Sequence, residues 1–194
     1  MVRPQPSVPA PTGSAPSWTL RSARVGDAEA WHALQRVIYQ EGVAFVGDGA
    51  PSPGALAGRL RALDPGQAHV AFAVVPDPGR GQALVGWVEV QRMAARRLAH
   101  VAWLTVAVAP GWRRRGAGAA LLESARGWAR GQRLRKLQLH VRGGNVPAIA
   151  LYRRLGYELE GVLRDQVAVG GHAGGAVAYE DEWIMALRLQ DAPS

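Results

Sequence analysis

The stretch VAVAPGWRRRGAGAALL, residues Val106–Leu122, joins an apolar run to an alanine- and leucine-rich segment through three arginines and three glycines. The apolar run ends at Pro110 and predicts a strand, and the segment after Gly116 predicts a helix. The first N–H groups of a helix have no intrahelical acceptor and lie at the positive end of its dipole, so they attract anions. Gly116 and Gly118 have no Cβ atom, so a phosphate can approach the backbone. The stretch therefore predicts a strand, a phosphate-binding turn and a helix.

Two known phosphate-binding motifs share part of this spacing, but neither is complete. Gly111 and Gly116 are spaced as in a P-loop, whose next residues are Lys and Ser or Thr, yet Ala117 and Gly118 follow here. The dinucleotide-binding motif needs its glycines directly after the strand, whereas Gly116 comes six residues after Pro110. The turn is thus predicted to hold a pyrophosphate without cleaving it. A tight turn carrying solvated arginines is the alternative.

Composition indicates one folded domain without a membrane segment. The chain has 194 residues, and 48% of them are hydrophobic, which is enough for a substantial core. Five prolines with Ser, Ala and Gly predict a flexible tail over Met1–Ser17. No apolar run could span a membrane and no signal-peptide pattern is present, so we expect a cytoplasmic protein. The chain has no cysteine and its histidines form no metal-binding pair, so we expect no metal.

The formal charge of +8 is compatible with a polyanionic ligand. All 23 basic residues except Lys136 are arginine, a bias that codon usage can also produce. The arginines are scattered and no nucleic-acid-binding motif is present, so the sequence disfavours a nucleic-acid partner. The basic cluster around residues 126–136 is predicted to be a solvated face.

Hydrophobic periodicity and turn signals predict a mixed α/β domain in the order β-α-α-β-β-β-α-β-α-β-β. Its first half is expected to be antiparallel, with parallel crossovers in the middle. Asp27 and Asn145 are predicted N-caps, and Gly156 is a predicted left-handed helix end. The predicted strands span residues 18–24, 69–75, 83–91, 100–110, 136–141, 157–169 and 178–189, and the predicted helices 28–40, 55–63, 116–131 and 145–155.

Two motifs in the correct order resemble the GNAT N-acetyltransferase superfamily. The phosphate turn resembles its acyl-CoA signature, R/Q-x-x-G-x-G/A, at Arg113, Gly116 and Gly118. The block LQLHVRGGNVPAIALYRRLGYELEG resembles the following strand and helix of the family, N-x-x-A-x-x-x-Y-x-x-x-G-F/Y. The resemblance covers roughly Trp18 to Leu189. It implies a single domain over residues 18–190, with a central mixed sheet of six or seven strands, four flanking helices and two splayed parallel strands.

The resemblance also implies acetyl-CoA as cosubstrate and a set of contacts for it. The strand before the turn would be bulged and would carry the pantetheine arm along residues 105–109, and the turn amides would hold the pyrophosphate. Trp112 would shield the cofactor. The implied cofactor-binding residues are Val106, Ala107, Val108, Arg113, Arg114, Arg115, Gly116, Ala117, Gly118, Ala119 and Asn145.

By the same resemblance, the reaction is direct attack of an amine on a thioester. A backbone N–H near Val106–Val108 would stabilise the oxyanion. Tyr152 matches the family's general acid, and a phenol with an ordinary pKa of about 10 can protonate a departing thiolate. A packed ring on the core face of its helix is the alternative for Tyr152.

The general base is not identified by the sequence. Many relatives carry a carboxylate within the strand before the turn, but this strand has Trp103 and Thr105 and no acid. Three residues remain as candidates: Glu89 on the preceding strand, His100 at the start of this one, and Glu41 after the first helix.

The acceptor is expected to be a small-molecule amine or a peptide or protein amine. The loops 41–53 and 170–175 are expected to border its site, with Phe45 and Asp48 as candidate contacts. A homodimer is compatible with the resemblance. The competing hypothesis is a non-catalytic regulatory module of the same fold that binds acyl-CoA or nucleic acid.

Overall fold

The computed structural model describes residues 8–9, 18–47, 49–79, 81–170 and 177–189. Apart from residues 8 and 9, the predicted tail over Met1–Ser17 lies outside the described residues. So do Asp48 and most of the predicted acceptor loop 170–175.

Seven strands form one sheet in the order β1-β2-β3-β4-β5-β7-β6. All neighbours are antiparallel except β4 and β5, which are parallel. The strands are β1 (Thr19–Ser22), β2 (Ala68–Asp77), β3 (Gly81–Arg92), β4 (Val101–Val108), β5 (Lys136–Arg142), β6 (Glu158–Gly170) and β7 (Val177–Arg188). The order of helices and strands is the predicted one.

Four α-helices cover the two faces of the sheet: α1 (Ala28–Gln40), α2 (Pro53–Arg61), α3 (Ala117–Gly131) and α4 (Val146–Arg154). We call the face covered by α1 and α2 the front. The buried ring of Trp31 in α1 lies 5.4 Å from Phe72 and 6.4 Å from Trp87, both on this face.

The opposite face, the back, carries α3 and α4. A Cβ atom on Gly86 would lie 3.2 Å from Leu121 of α3 and 3.0 Å from the Ala107 carbonyl oxygen, so only glycine permits this close packing. Leu121 and Leu139 are both fully buried and contribute to this side of the core. On the back of β4 and β5 the side chains are largely buried, whereas Thr105 and His140 on the front are exposed.

Of the three helix-capping residues that the sequence predicts, two are confirmed. The side chain of Asn145 accepts the Ala148 N–H at 3.3 Å and caps α4, and Gly156 has a φ of +87°, so both predictions are confirmed. Asp27 precedes α1 as predicted, but its carboxylate makes no capping bond to that helix. It accepts instead from Arg24 N–H and from Arg21, both at 2.7 Å, because these partners lie on the preceding turn and strand.

The bulge that the family resemblance implies for β4 is not present there. Seven pairs from Gly86–Val108 to Arg92–Ala102 keep one register between β3 and β4. The extra residue lies in β3, where Ala73 pairs with Gly86 and Val74 with Leu84, leaving Val85 unmatched. Gly86 lies beside the irregularity, as a glycine inside a strand often does at a bulge.

The fold prediction is otherwise confirmed: one α/β domain contains a mixed seven-stranded sheet, four helices and a parallel pair in the middle. Within the described ranges, no helix has the length and apolarity needed to cross a membrane.

Candidate active site

The two parallel strands pair over a short distance and then separate. The β4–β5 pairing runs from Val101 and Lys136 to Trp103 and Gln138, although β4 continues to Val108 and β5 to Arg142. Residues 104–108 and 139–142 therefore border an opening within the sheet, which we call the gap. The predicted splaying of the parallel strands is confirmed.

One edge of β4 is free along the gap. Val101 C=O and Ala109 N–H both bond to β3, at 3.0 and 2.8 Å. Because alternate residues of an antiparallel strand bond to the same neighbour, the backbone groups of Leu104, Val106 and Val108 point toward the gap. The backbone of Ala107 points toward β3, so of the three predicted pantetheine contacts only Val106 and Val108 direct backbone groups to the gap. The Val108 C=O already accepts a bond from Arg113 at 2.9 Å, which leaves its N–H for a ligand.

The turn after β4 has the geometry expected of an anion site. Arg114 and Gly116 have φ values of +61° and +86°, and α3 begins at Ala117. Ala120 N–H donates to Gly116 C=O, so the N–H groups of residues 117–119 precede the first intrahelical bond and have no acceptor within the helix. These amides point out of the helix N-terminus beside the gap.

The two glycines of the turn have different physical roles. Gly116 adopts a left-handed conformation that other residues adopt at a cost. At Gly118 a Cβ atom would lie 3.2 Å from Leu151 of α4 and 3.7 Å from Val108, so this glycine lets α4 pack against the turn. The sequence-based reason for Gly118, close approach of a phosphate, is therefore incomplete.

The arginines of the turn are not simply solvated. Arg113 donates from Nε to the Val108 C=O at 2.9 Å and from Nη1 to Glu41 at 3.0 Å, with a second bond from Nη2 to the same carboxylate. The Arg115 guanidinium lies 5.7 Å from the ring centre of Trp112. Arg114 is exposed.

Trp112 is part of the core. Only 3% of its surface is exposed, and its indole N–H donates to Pro9 C=O at 2.7 Å. The expectation that it shields the cofactor stays a prediction.

The loop after α1 crosses the front of the gap. Glu41 binds Arg113 at the end of β4, and the Gly42 C=O accepts a bond from Arg142 at the end of β5. Arg142 also forms an ion pair with Glu180 of β7 at 2.6 Å. We call Glu41, Gly42, Arg113 and Arg142 the strap. Phe45, a predicted acceptor contact, stacks between Tyr39 at 5.0 Å and Trp87 at 5.8 Å, which anchors this loop to the sheet.

Below the strap, polar side chains of β3, β4, β5 and β7 lie side by side on the front face of the sheet. Glu89 of β3 pairs with Thr105 of β4, and continuing the β4–β5 register places His140 of β5 opposite Thr105. His140 Nδ1 lies 3.1 Å from a carboxylate oxygen of Glu182 of β7. Burial raises the pKa of Glu89, and Arg59 at 3.8 Å opposes that change.

Neither His140 nor Glu182 is among the candidate residues that the sequence predicts. The alternation of KLQLHV indicates that residues 136, 138 and 140 share one face of a strand, but not that this face lines an opening. The contact with Glu182 joins residues 42 positions apart, and no local pattern encodes it.

Tyr152 lies on the back of the sheet. It is 6% exposed, and its ring lies 5.8 Å from that of Tyr157. Burial raises the pKa of Tyr152 well above its usual range, so the hydroxyl stays protonated. The adjacent Leu151 contacts the turn at Gly118, which places this part of α4 behind the gap.

His100 is not brought to the gap. It is exposed at the start of β4, and its C=O accepts Arg135 N–H at 2.8 Å. Six residues separate it from Val106, about 20 Å along a strand. Asn145 uses its side-chain oxygen to cap α4, which leaves only its amide NH₂ for a ligand.

Among the described residues, no group of three or more His, Asp and Glu side chains could hold a metal ion.

Comparison with known proteins identifies the family. The model of the acetyltransferase (GNAT) family matches residues 28–157, so the chain belongs to the GNAT acetyltransferase family. No curated protein sequence matches the chain.

Solved structures share the fold. A GNAT-family acetyltransferase from Streptococcus pneumoniae is 23% identical with a TM-score of 0.77 over 89% of this chain and 99% of its own. A GNAT-superfamily phosphinothricin acetyltransferase from Sinorhizobium meliloti, solved with acetyl-CoA, is 25% identical with a TM-score of 0.76 over 89% of each chain. A GCN5-related N-acetyltransferase from Kribbella flavida is 23% identical, with a TM-score of 0.75 over 89% and 98%.

Proposed function

We propose that the protein transfers an acetyl group from acetyl-CoA to the nitrogen of a primary amine while both substrates are bound. The observation that carries this proposal is the free edge of β4 ending at the open N-terminus of α3. A strand edge offers backbone partners to the amide groups of a pantetheine arm, and a helix N-terminus favours phosphate.

The residues of the chain fit acetyl-CoA in these terms. The amides of residues 117–119 would hold the pyrophosphate, with Gly116 setting their direction. Val106 and Val108 would bond to the pantetheine arm, and one of their N–H groups would stabilise the charge on the thioester oxygen. Bound acetyl-CoA supplies an activated acyl group and a thiolate leaving group.

Tyr152 would protonate the departing sulfur. A phenol with a raised pKa is a weak acid. A thiol bound in the same low-polarity region would also have a raised pKa, because burial disfavours the thiolate. The hydroxyl therefore gives up its proton as the C–S bond breaks, when the sulfur carries a full charge.

The first experiment measures release of free thiol from acetyl-CoA with a panel of acceptors. The panel contains phosphinothricin, because a relative carries that activity in its name, together with other small amines, aminoglycosides and peptides. Acetylation of an amine is expected. Stabilisation against heat by an oligonucleotide and not by acetyl-CoA would instead support the regulatory-module hypothesis.

Replacing Tyr152 with Phe tests the general acid. We expect kcat to fall by about 100-fold, the usual contribution of one proton-transfer group, with little change in the dissociation constant of acetyl-CoA. Tyr157→Phe is the matched control, because Tyr157 is a neighbouring buried tyrosine for which we propose no role in proton transfer. An unchanged kcat in Tyr152→Phe would refute the assignment.

A further inference from the structure

An acceptor amine is mostly an ammonium ion near neutral pH, so transfer needs a base at the front of the gap. The three residues that the sequence offers are poorly placed for this. Glu41 is bound by the Arg113 guanidinium through two bonds, and His100 lies at the other end of β4. Glu89 lies on β3, one strand away from the gap, and its carboxylate lies 3.8 Å from Arg59.

His140 lies on the edge of the gap itself. It follows Gln138, the last residue of β5 that pairs with β4, by two positions and points to the same front face. In the continued register it lies opposite Thr105 across the opening. About a third of its side chain, 35%, is exposed, so an amine can reach the ring and a proton can leave it for solvent.

Glu182 sets the orientation of the imidazole. Only 8% of this residue is exposed, and its carboxylate lies 3.1 Å from His140 Nδ1. A carboxylate can only accept, so Nδ1 carries the proton and Nε2 presents its lone pair. The ring of Trp103 meets the imidazole edge-on, with centres 4.7 Å apart, and holds it from the β4 side.

The charges around His140 are otherwise paired with one another. Arg142, two residues along β5, forms its ion pair with Glu180. Across β4, Glu89 lies 3.8 Å from Arg59. Among the described residues, Glu182 is thus the carboxylate in direct contact with the imidazole.

We propose that His140 is the general base of the acetyl transfer and that Glu182 is its positioning residue. The proposal rests on the proposed function and assigns the group that the sequence does not reveal. A carboxylate behind a histidine fixes one tautomer and stabilises the imidazolium that forms when the base accepts a proton.

Each proton in this reaction has a donor and an acceptor. Nε2 of His140 takes one proton from the ammonium, which gives a neutral amine with a free lone pair. The nitrogen forms a bond to the acyl carbon and loses a second proton, while the C–S bond breaks and the sulfur gains one proton, from Tyr152. The second nitrogen proton restores Tyr152 through water, and the proton on His140 passes to solvent. The products are an amide, a free thiol and one proton.

The test compares five variants with one accepted amine and follows kcat/KM against pH. For the wild type, activity falls on the acid side because the base becomes protonated. In His140→Ala we expect kcat to fall by about 100-fold at neutral pH and the loss to shrink at high pH, where the free amine is abundant. Added imidazole is expected to restore part of the rate. Acetyl-CoA affinity should not change.

Glu182→Gln should lower kcat by about 10-fold and change the acid side of the profile, while Glu182→Asp should recover part of the loss. A purely structural role would lower thermal stability without moving the pH profile. His100→Gln is the matched histidine control and should behave as wild type, because His100 interacts through its backbone.

Glu89→Gln tests the competing hypothesis that Glu89, and not His140, is the general base. The proposal is overturned if Glu89→Gln loses the acid side of the profile while His140→Ala keeps both its rate and its profile. Failure of the proposed function has a different outcome, since the wild type itself would then release no thiol with any acceptor.

Discussion

The back and the front of the gap are built from different kinds of parts. On the back, one continuous segment, residues 106–119, provides the free strand edge, the turn and the helix amides. On the front, the polar groups come from the loop after α1 and from β3, β5 and β7, and most of them belong to side chains. A continuous segment with backbone groups tolerates many side-chain changes, whereas the front depends on a few particular side chains. The two regions should therefore respond differently to mutation.

The largest effect of a mutation is expected from a change in the backbone of residues 106–119. Gly116→Val places a β-branched residue at a φ of +86°, which should cost about 1–3 kcal/mol and turn the helix amides away from the gap. We expect acetyl-CoA binding, followed by calorimetry, to weaken by at least about tenfold. Gly127→Ala is the control: a Cβ atom there meets nothing within 4 Å, and stability should rise by about 0.5–1 kcal/mol. Tight acetyl-CoA binding by Gly116→Val would show that the turn geometry is not required.

A smaller effect that is confined to the front is expected from Arg142→Gln. This change removes the ion pair with Glu180 and the bond to the Gly42 C=O, and so frees one end of the strap. Stability should fall by about 1.5–3 kcal/mol, as for the loss of hydrogen bonds to a charged group.

The kinetic readout separates the two regions. In Arg142→Gln, KM for the acceptor should rise by about tenfold, equivalent to about 1.4 kcal/mol, while the acetyl-CoA dissociation constant stays the same. Arg164→Gln is the control, because Arg164 is exposed and its ion pair with Asp181 lies outside the strap. An equal loss of affinity for the acceptor and for acetyl-CoA would contradict the prediction that the strap affects only the acceptor side.

The smallest effect concerns the pH dependence of stability. Burial raises the pKa of Glu89, so the folded state binds this proton more tightly than the unfolded state. Stability then falls as pH rises through the range between the unfolded and folded pKa values, and stays lower above it. Glu89→Gln should flatten this fall, measured by urea unfolding from pH 4 to pH 8. A steeper fall in the variant would show that the ion pair with Arg59 outweighs burial.

The elements that were predicted well depend on nearby residues. The cap at Asn145 and the left-handed Gly156 involve residues within a few positions of each other, and both are present. The prediction that Asp27 caps α1 fails because its carboxylate accepts a hydrogen bond from Arg21 of β1, which no local pattern predicts. The bulge likewise occurs in β3 and not in β4, next to Gly86, which packs closely against Leu121 of α3.

The sequence by itself determined the order of strands and helices, the turn between β4 and α3 and the family, because periodicity, helix caps and glycine conformations act over a few residues. It also predicted Tyr152 as the general acid, by its match to the family motif. Only the tertiary structure decided which candidate acids and bases reach the gap. It showed that Arg113 holds Glu41, that His100 lies at the far end of β4, and that Glu182 supports His140. Those relations depend on strand register and on contacts between distant segments, which one strand's own sequence does not contain.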